Sequence, residues 1–443
     1  MTSVLLRNGT IVRATEEEKA DVLLRDGVIE RVAPHGSSFS SVDEDVNAAG
    51  LLLFPGLIDC HVHFREPGLT QKADMKSESA SARAGGVTTV CEMPNTIPPT
   101  VTIMALADKV RRAEEISDCD IRFFFGVTDG FNLEALRELW SGTSPEFKHL
   151  RERCVGAKLF LDHSTGDQKV QEDILEDIFR ACGELKIPMV CHCEDPEMNA
   201  QAAQRKDLPN DVSAHSLMRP PESEVRSIEK AITLAEKYKT PLHIAHLSTA
   251  GGMDLIRSAK AAGLSVTCEV APHHLLLNQK AYAHLGTLAK MNPPLRTEAD
   301  QAALWQGIKD GVVDCIATDH APHTLEEKNV ADPRQAPSGI PGVATMLPLL
   351  LTCASAKQPR FDPQASMQPN TLFRYQDIVR LCFENPNRIF GLGKQGLREG
   401  SRDAIVLVDP KREWTITAAQ LKSKCGWTPY EGWKVSGSVV RVI

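Results

Sequence analysis

Phe54-Pro-Gly-Leu-Ile-Asp-Cys-His-Val-His-Phe-Arg-Glu-Pro-Gly68 is the stretch on which the reading of the chain turns. An apolar run enters it and Pro67-Gly68 closes it, the pattern of a short buried strand ending in a turn. Side chains alternate along a strand, so His61, His63 and Arg65 are expected on one face. Two neutral imidazoles at a strand end can ligate a metal, and a cation beside them can hold an anionic ligand. A bare His-x-His is weak evidence, because it is usually just two polar residues. Its weight comes from the rest of the chain, where the arrangement recurs.

From about residue 55 to 392 the pattern is strand, then helix, repeated. Strands are expected at 57–64, 88–93, 120–127, 156–161, 188–194, 241–248, 265–272 and 315–322. Amphipathic segments separate them; in 221–239, Val225, Ile228, Ile232 and Ala235 step by three or four along one face. Eight strands alternating with helices predict an α/β chain folded as a (β/α)8 TIM-type barrel. A doubly wound open sheet is the alternative, but no Gly-x-Gly-x-x-Gly follows any strand. Residues 1–54 and 393–443 both read as β-structure and are expected to meet in one small β-sandwich domain, with the barrel inserted between them. Asn8-Gly9 and Asp26-Gly27, each between apolar runs, are expected to be hairpin turns.

The reactive residues fall at the strand ends: His61 and His63, Asn95, Lys158 or Asp162, His192, His246, His273 or His274, and Asp319. Sites in such barrels form at the C-terminal ends of the strands. Several histidines and a carboxylate converging there predict a metal-dependent hydrolase. Cys191-His-Cys193 has a metal-like spacing, but alternation puts both cysteines opposite His192, favouring core thiols.

The 443 residues carry a net charge of −8, which argues against broad nucleic-acid binding. No apolar run approaches the ~20 residues of a membrane helix, and the N-terminus lacks the pattern of a signal peptide. The 12 cysteines include Cys60, Cys91, Cys268 and Cys315 inside apolar runs. That usage fits buried thiols in a reducing cytoplasm.

Taken together, Asp59-Cys-His-Val-His-Phe-Arg-Glu-Pro-Gly68, Glu92-Met-Pro-Asn-Thr96, Cys191-His-Cys-Glu-Asp195, His243-Ile-Ala-His-Leu-Ser-Thr249, Met291-Asn-Pro-Pro-Leu-Arg296 and Thr318-Asp-His-Ala-Pro-His-Thr324 resemble the amidohydrolase superfamily, and within it the dihydroorotase family. The resemblance runs nearly end to end. It implies zinc-dependent, reversible hydrolysis of dihydroorotate to N-carbamoyl-L-aspartate, run toward ring closure in pyrimidine synthesis. It implies two zinc ions per chain, one held by His61, His63 and Asp319 and the other by His192 and His246. Lys158, carboxylated on its amine, would bridge them, with Asp162 as the alternative bridge. Asp319 would also carry the proton. Arg65, Asn95, Asn292 and His323 match positions that contact substrate, although Asn292 in Asn-Pro-Pro can equally be a turn former. The resemblance further implies a cytoplasmic homodimer acting on a small molecule. Hydantoinases, dihydropyrimidinases and allantoinases share the metal pattern and are the rival enzymes. A barrel paralogue without activity is the rival of another class, and it would be expected to have lost ligands.

Overall fold

The computed structural model describes residues 2–162, 168–355 and 373–443. The chain opens with five strands: β1 (Ser3–Val12), β2 (Glu17–Arg25), β3 (Val28–Pro34), β4 (Glu44–Asn47) and β5 (Leu52–Pro55). Asp26 and Gly27, at φ +49° and +73°, make the expected hairpin between β2 and β3. Asn8-Gly9 does not turn the chain. β1 runs straight through it, paired with β2 on both sides, and the register slips between Leu6 and Gly9. Asn8 takes φ +65°, and its N–H donates to Asp21 at 2.7 Å. The conformational freedom that makes Asn-Gly a good turn also makes it a good bulge, and the continuing pairing with β2 selects the bulge.

The next eight strands are all parallel and hydrogen-bonded in chain order. They are β6 (Leu57–Val62), β7 (Val87–Glu92), β8 (Asp120–Gly126), β9 (Cys154–Phe160), β10 (Met189–His192), β11 (Leu242–Ile244), β12 (Val266–Val270) and β13 (Cys315–Ile316). Each expected strand is present, but the last four are shorter than expected. A parallel bridge between Val62 and His320 brings the first and eighth strands together, and the His63 N–H donates to the His320 carbonyl at 2.7 Å. The helix expected at 221–239 runs Pro221–Tyr238 and ends on Lys239 in the left-handed conformation. Its buried stripe includes Ile228, Ala231, Leu234 and Ala235, whereas Val225 and Ile232 sit at its edge, half-buried.

β14 (Ile405–Thr415) and β15 (Lys434–Val442) return to the N-terminal strands. Hydrogen bonds join all seven strands from the two chain ends in one mixed sheet, ordered β15-β14-β5-β1-β2-β3 with β4 on the side of β1. Alternation makes this sheet two-faced. Leu53, Ile405 and Leu407 pack with Leu6, Ile11, Val22 and Ile29 in a core of their own. Phe54, Val406 and Val408 belong to the barrel core. The sheet is thereby anchored to the barrel through alternate residues. Among the described residues no helix is long and apolar enough to cross a membrane.

Candidate metal centre

The strand ends bring the expected residues together. His61 lies on β6, Lys158 on β9 and His192 at the last position of β10. His63, His246 and Asp319 follow β6, β11 and β13 by a residue or more, and all six are buried. His246 and Asp319 have positive φ, +32° and +47°. Both are therefore aimed by the backbone leaving the strand, not by alternation along it. Arg65 behaves the same way. Its φ is +67°, three residues past the end of β6. The expectation that His61, His63 and Arg65 share one strand face is thus corrected. They line one cavity, but a turn delivers Arg65.

The outer atom of each ring decides what the inner atom offers. His61 Nδ1 donates to Glu269, leaving Nε2 pointing inward, 3.4 Å from Asp319 Oδ1. His63 Nδ1 donates to Asn95 Oδ1 at 2.6 Å, and its Nε2 lies 3.0 Å from the same Asp319 oxygen. His192 Nε2 donates to Glu194 at 2.9 Å, and its Nδ1 faces His246 Nε2 at 3.0 Å. Outer oxygens of this kind fix the tautomer and present the inward lone pair to a metal. His61, His63 and Asp319 form a three-ligand group whose donor atoms lie within 4.8 Å of one another. His192 and His246 make a second pair, their ring centroids 4.7 Å apart, and His246 stacks at 5.2 Å from His61.

The electrostatics agree with neutral imidazoles around an anion. Burial lowers His63 to about 4, and it pushes His246 well below the ordinary histidine range, with His192 and His61 adding to the effect. Burial alone would raise the Asp319 carboxyl, yet His61 and His63 hold it below the usual carboxylate range. Unprotonated nitrogens and an ionised carboxylate are the ligand forms a divalent cation needs.

Lys158 and Asp162, the two candidate bridges, differ sharply. Lys158 Nζ is fully buried, with no hydrogen-bond partner among the described residues. It lies 4.9 Å from the Phe160 ring centroid, and burial lowers its pKa. Asp162 Oδ2 accepts from Asn199 at 2.7 Å and from Arg219 at 3.1 Å. An orphaned amine beside histidines and an aspartate fits a group waiting for a partner.

On the cavity wall stand Arg65, Asn95 and Asn292. Arg65 donates from Nε to the Pro322 carbonyl at 3.1 Å, while Nη1 is buried without a partner among the described residues. Burial lowers this guanidinium to about 10, against the pull of Glu92 and Asp319, so it stays charged at neutral pH. Asn292 is held through Oδ1 by His215 Nε2 at 3.0 Å. His323 stands behind Arg65, its Nε2 3.1 Å from Arg65 Nη2, and is not on the cavity wall. His273 and His274 are buried near the centre; burial lowers His273 to about 4, and His274 donates to the Pro293 carbonyl at 3.0 Å. Cys191 and Cys193 are buried free thiols away from the cavity, as alternation predicts.

Sequence reasoning missed the carboxylates behind the ligands. Glu269 accepts from His61 and from His243 Nε2 at 3.1 Å, and from the His246 backbone N–H at 3.3 Å. His243 therefore supports His61 through Glu269. Glu194 orients His192 and is itself gripped by Arg219 at 2.6 Å. Glu194 was visible as a charge two residues after His192. Glu269 was visible as the one charge inside β12, a position that demands a buried partner.

Residues 52–443 match the model of the amidohydrolase family. The dihydroorotase of Methanosarcina acetivorans is 36% identical over 98% of this chain and 89% of its own length. That of Halobacterium salinarum is 38% identical over 93% of this chain and 91% of its own. Among solved structures, the L-hydantoinase (dihydropyrimidinase) from Arthrobacter aurescens superposes with a TM-score of 0.88 at 26% identity, over 100% of this chain and 95% of that one.

Proposed function

Because the chain belongs to the amidohydrolase family, we propose that it is a dihydroorotase, interconverting dihydroorotate and N-carbamoyl-L-aspartate in pyrimidine synthesis. The observation that carries this reading is Arg65, a charged guanidinium buried on the cavity wall beside the His–Asp cluster, with Nη1 unsatisfied. A ring carboxylate is the partner such a group lacks, and a neutral hydantoin supplies none.

The donor set fits two divalent cations, zinc by its nitrogen and oxygen ligands. His61, His63 and Asp319 would hold one, His192 and His246 the other, and Lys158 as a carbamate would bridge them. Zinc bound there supplies an activated water and a polarised carbonyl. The protein's own residues do the rest. Arg65 binds the ring carboxylate, and Asn95 and Asn292 flank the ring. Asp319 takes a proton from the attacking water and gives it to the leaving ring nitrogen as the C–N bond of the amide breaks. The 12 free cysteines, all but Cys353 buried, support a reducing cytoplasm as the working compartment.

The test is ultraviolet-monitored turnover of dihydroorotate by the purified, zinc-loaded protein. Hydantoin hydrolysis is the second reading, favoured by the likeness to L-hydantoinase; preference for hydantoin over dihydroorotate would establish it. Arg65→Met is expected to raise KM for dihydroorotate roughly 30- to 150-fold, the equivalent of about 2–3 kcal/mol for a desolvated charge-assisted pair. An unchanged KM would place the substrate carboxylate elsewhere. Hydrolysis of the anionic ring creates a second carboxylate and releases a proton, so the equilibrium ratio of open to closed form is expected to fall about tenfold per pH unit of acidification around neutrality. A ratio independent of pH, read by chromatography at equilibrium, would mean a different reaction.

A further inference from the structure

Two buried lysines hold part of the cavity wall. Lys328 is 1% exposed, and its ammonium donates to three carbonyls, those of Lys290 at 3.0 Å, Pro337 at 2.9 Å and Gly339 at 3.0 Å. Three donors meet three acceptors, so the group is fully satisfied without a carboxylate. Lys290 donates to the carbonyls of Arg334 at 2.5 Å and Ala336 at 2.6 Å, and its own carbonyl also accepts from the Gly339 N–H at 2.9 Å. The segment so held, 334–339, carries Ser338 and Gly339, which line the cavity. It is pressed tightly against the loop after β13. Gly339 has φ +140°, and a Cβ there would meet the Ala321 carbonyl oxygen at 2.5 Å and His323 at 3.1 Å. His323 Nε2 donates to the Ser338 carbonyl at 3.1 Å, and the same nitrogen stands 3.1 Å from Arg65 Nη2.

We infer that Lys328 and Lys290 are positioning residues for substrate: they hold segment 334–339 in place, and through it both the ring-facing wall and His323, which stands beside Arg65. Burial, with Lys290 and Arg65 nearby, lowers Lys328 to about 7. Charge pairing therefore does not account for an ammonium at this place, whereas the three backbone carbonyls that it meets do. Trp427 closes the far side, its ring centroid 5.6 Å from Lys328 Nζ, and its indole donates to the His323 carbonyl at 2.7 Å. Neither lysine touches the metal ligands, so substrate binding should respond to their loss while metal binding does not.

This inference rests on the dihydroorotase reading, and its test separates the two. In the zinc-loaded enzyme, Lys328→Met is expected to raise KM for dihydroorotate about tenfold and change kcat by less than about threefold, since the wall would be ordered only on binding. Metal content should stay at the wild-type value, and amide hydrogen exchange across 334–339 should quicken. Lys290→Met should shift KM and exchange in the same direction by less. An unchanged KM in folded Lys328→Met overturns the inference, as does a fall in kcat that tracks loss of metal. If Lys328→Met does not fold, Lys290→Met decides alone by the same criteria. Failure of the dihydroorotase reading looks different: the wild type itself would not turn dihydroorotate over, and hydrogen exchange would still report whether the lysines hold the segment.

Discussion

Asp319→Asn is expected to abolish turnover in both directions, by on the order of 10³-fold or more, while the barrel stays folded. The substitution keeps the shape of the side chain and removes its charge and its capacity to carry a proton. Both losses fall on the atoms that matter. Asp319 Oδ1 lies 3.0 Å from His63 Nε2 and 3.4 Å from His61 Nε2, so one oxygen is shared with the inward nitrogens. The other remains for a water or a leaving nitrogen at the cavity. His61 and His63 keep the carboxyl ionised against its burial, the state a proton acceptor requires. The fold does not hang on this side chain: closure between β6 and the loop after β13 is made by backbone, through the Val62–His320 bridge. Circular dichroism and metal analysis should match the wild type, with at most a partial loss of the metal at His61 and His63. A folded, metal-loaded Asp319→Asn protein that turns dihydroorotate over within about tenfold of the wild-type rate would remove Asp319 from the chemistry.

The barrel was legible because its signal is repeated: eight apolar runs with amphipathic segments between them cannot easily be anything else. Which residues gather at its mouth was legible for the same reason. How they are aimed was not. Arg65, His246 and Asp319 sit beyond the ends of their strands at positive φ, where the two-residue period no longer applies. A non-glycine residue in that region is held there by its surroundings, and no propensity announces it. The supporting shell was hidden differently. Glu269 and Glu194 look like any other charges until the fold sets them behind His61 and His192. Asn8-Gly9 shows the limit of local chemistry at the chain ends: the dipeptide specifies a backbone conformation, and only the pairing partner decides whether that conformation turns or bulges.

Lys158→Ala is expected to strip most of the bound metal and lower turnover by on the order of a thousandfold, whereas Asp162→Ala should keep two metals per chain. The two residues lie four apart, and β9 ends at Phe160 between them, so alternation does not separate them. β9 begins at Cys154, not Gly156, which puts Lys158 in the outer half of its strand. The partners separate them instead. Asp162 is already committed: Asn199 and Arg219 hold its Oδ2, and Arg219 also grips Glu194 behind His192. Lys158 has no hydrogen-bond partner among the described residues and is buried where an unpaired ammonium costs several kcal/mol. Burial lowers its pKa, against the pull of Glu269 and Asp319, and its charge also bears on His192 and His246. The neutral amine so favoured is the form that adds CO2. In that step one C–N bond would form and one proton leave, and the carbamate would offer an anionic oxygen to a metal. In Lys158→Ala, short carboxylic acids such as propionate should restore part of the activity by entering the vacated space as oxygen ligands. Metal content by plasma emission, with and without propionate, checks this. Loss of metal from Asp162→Ala with retention in Lys158→Ala would assign the bridge to Asp162.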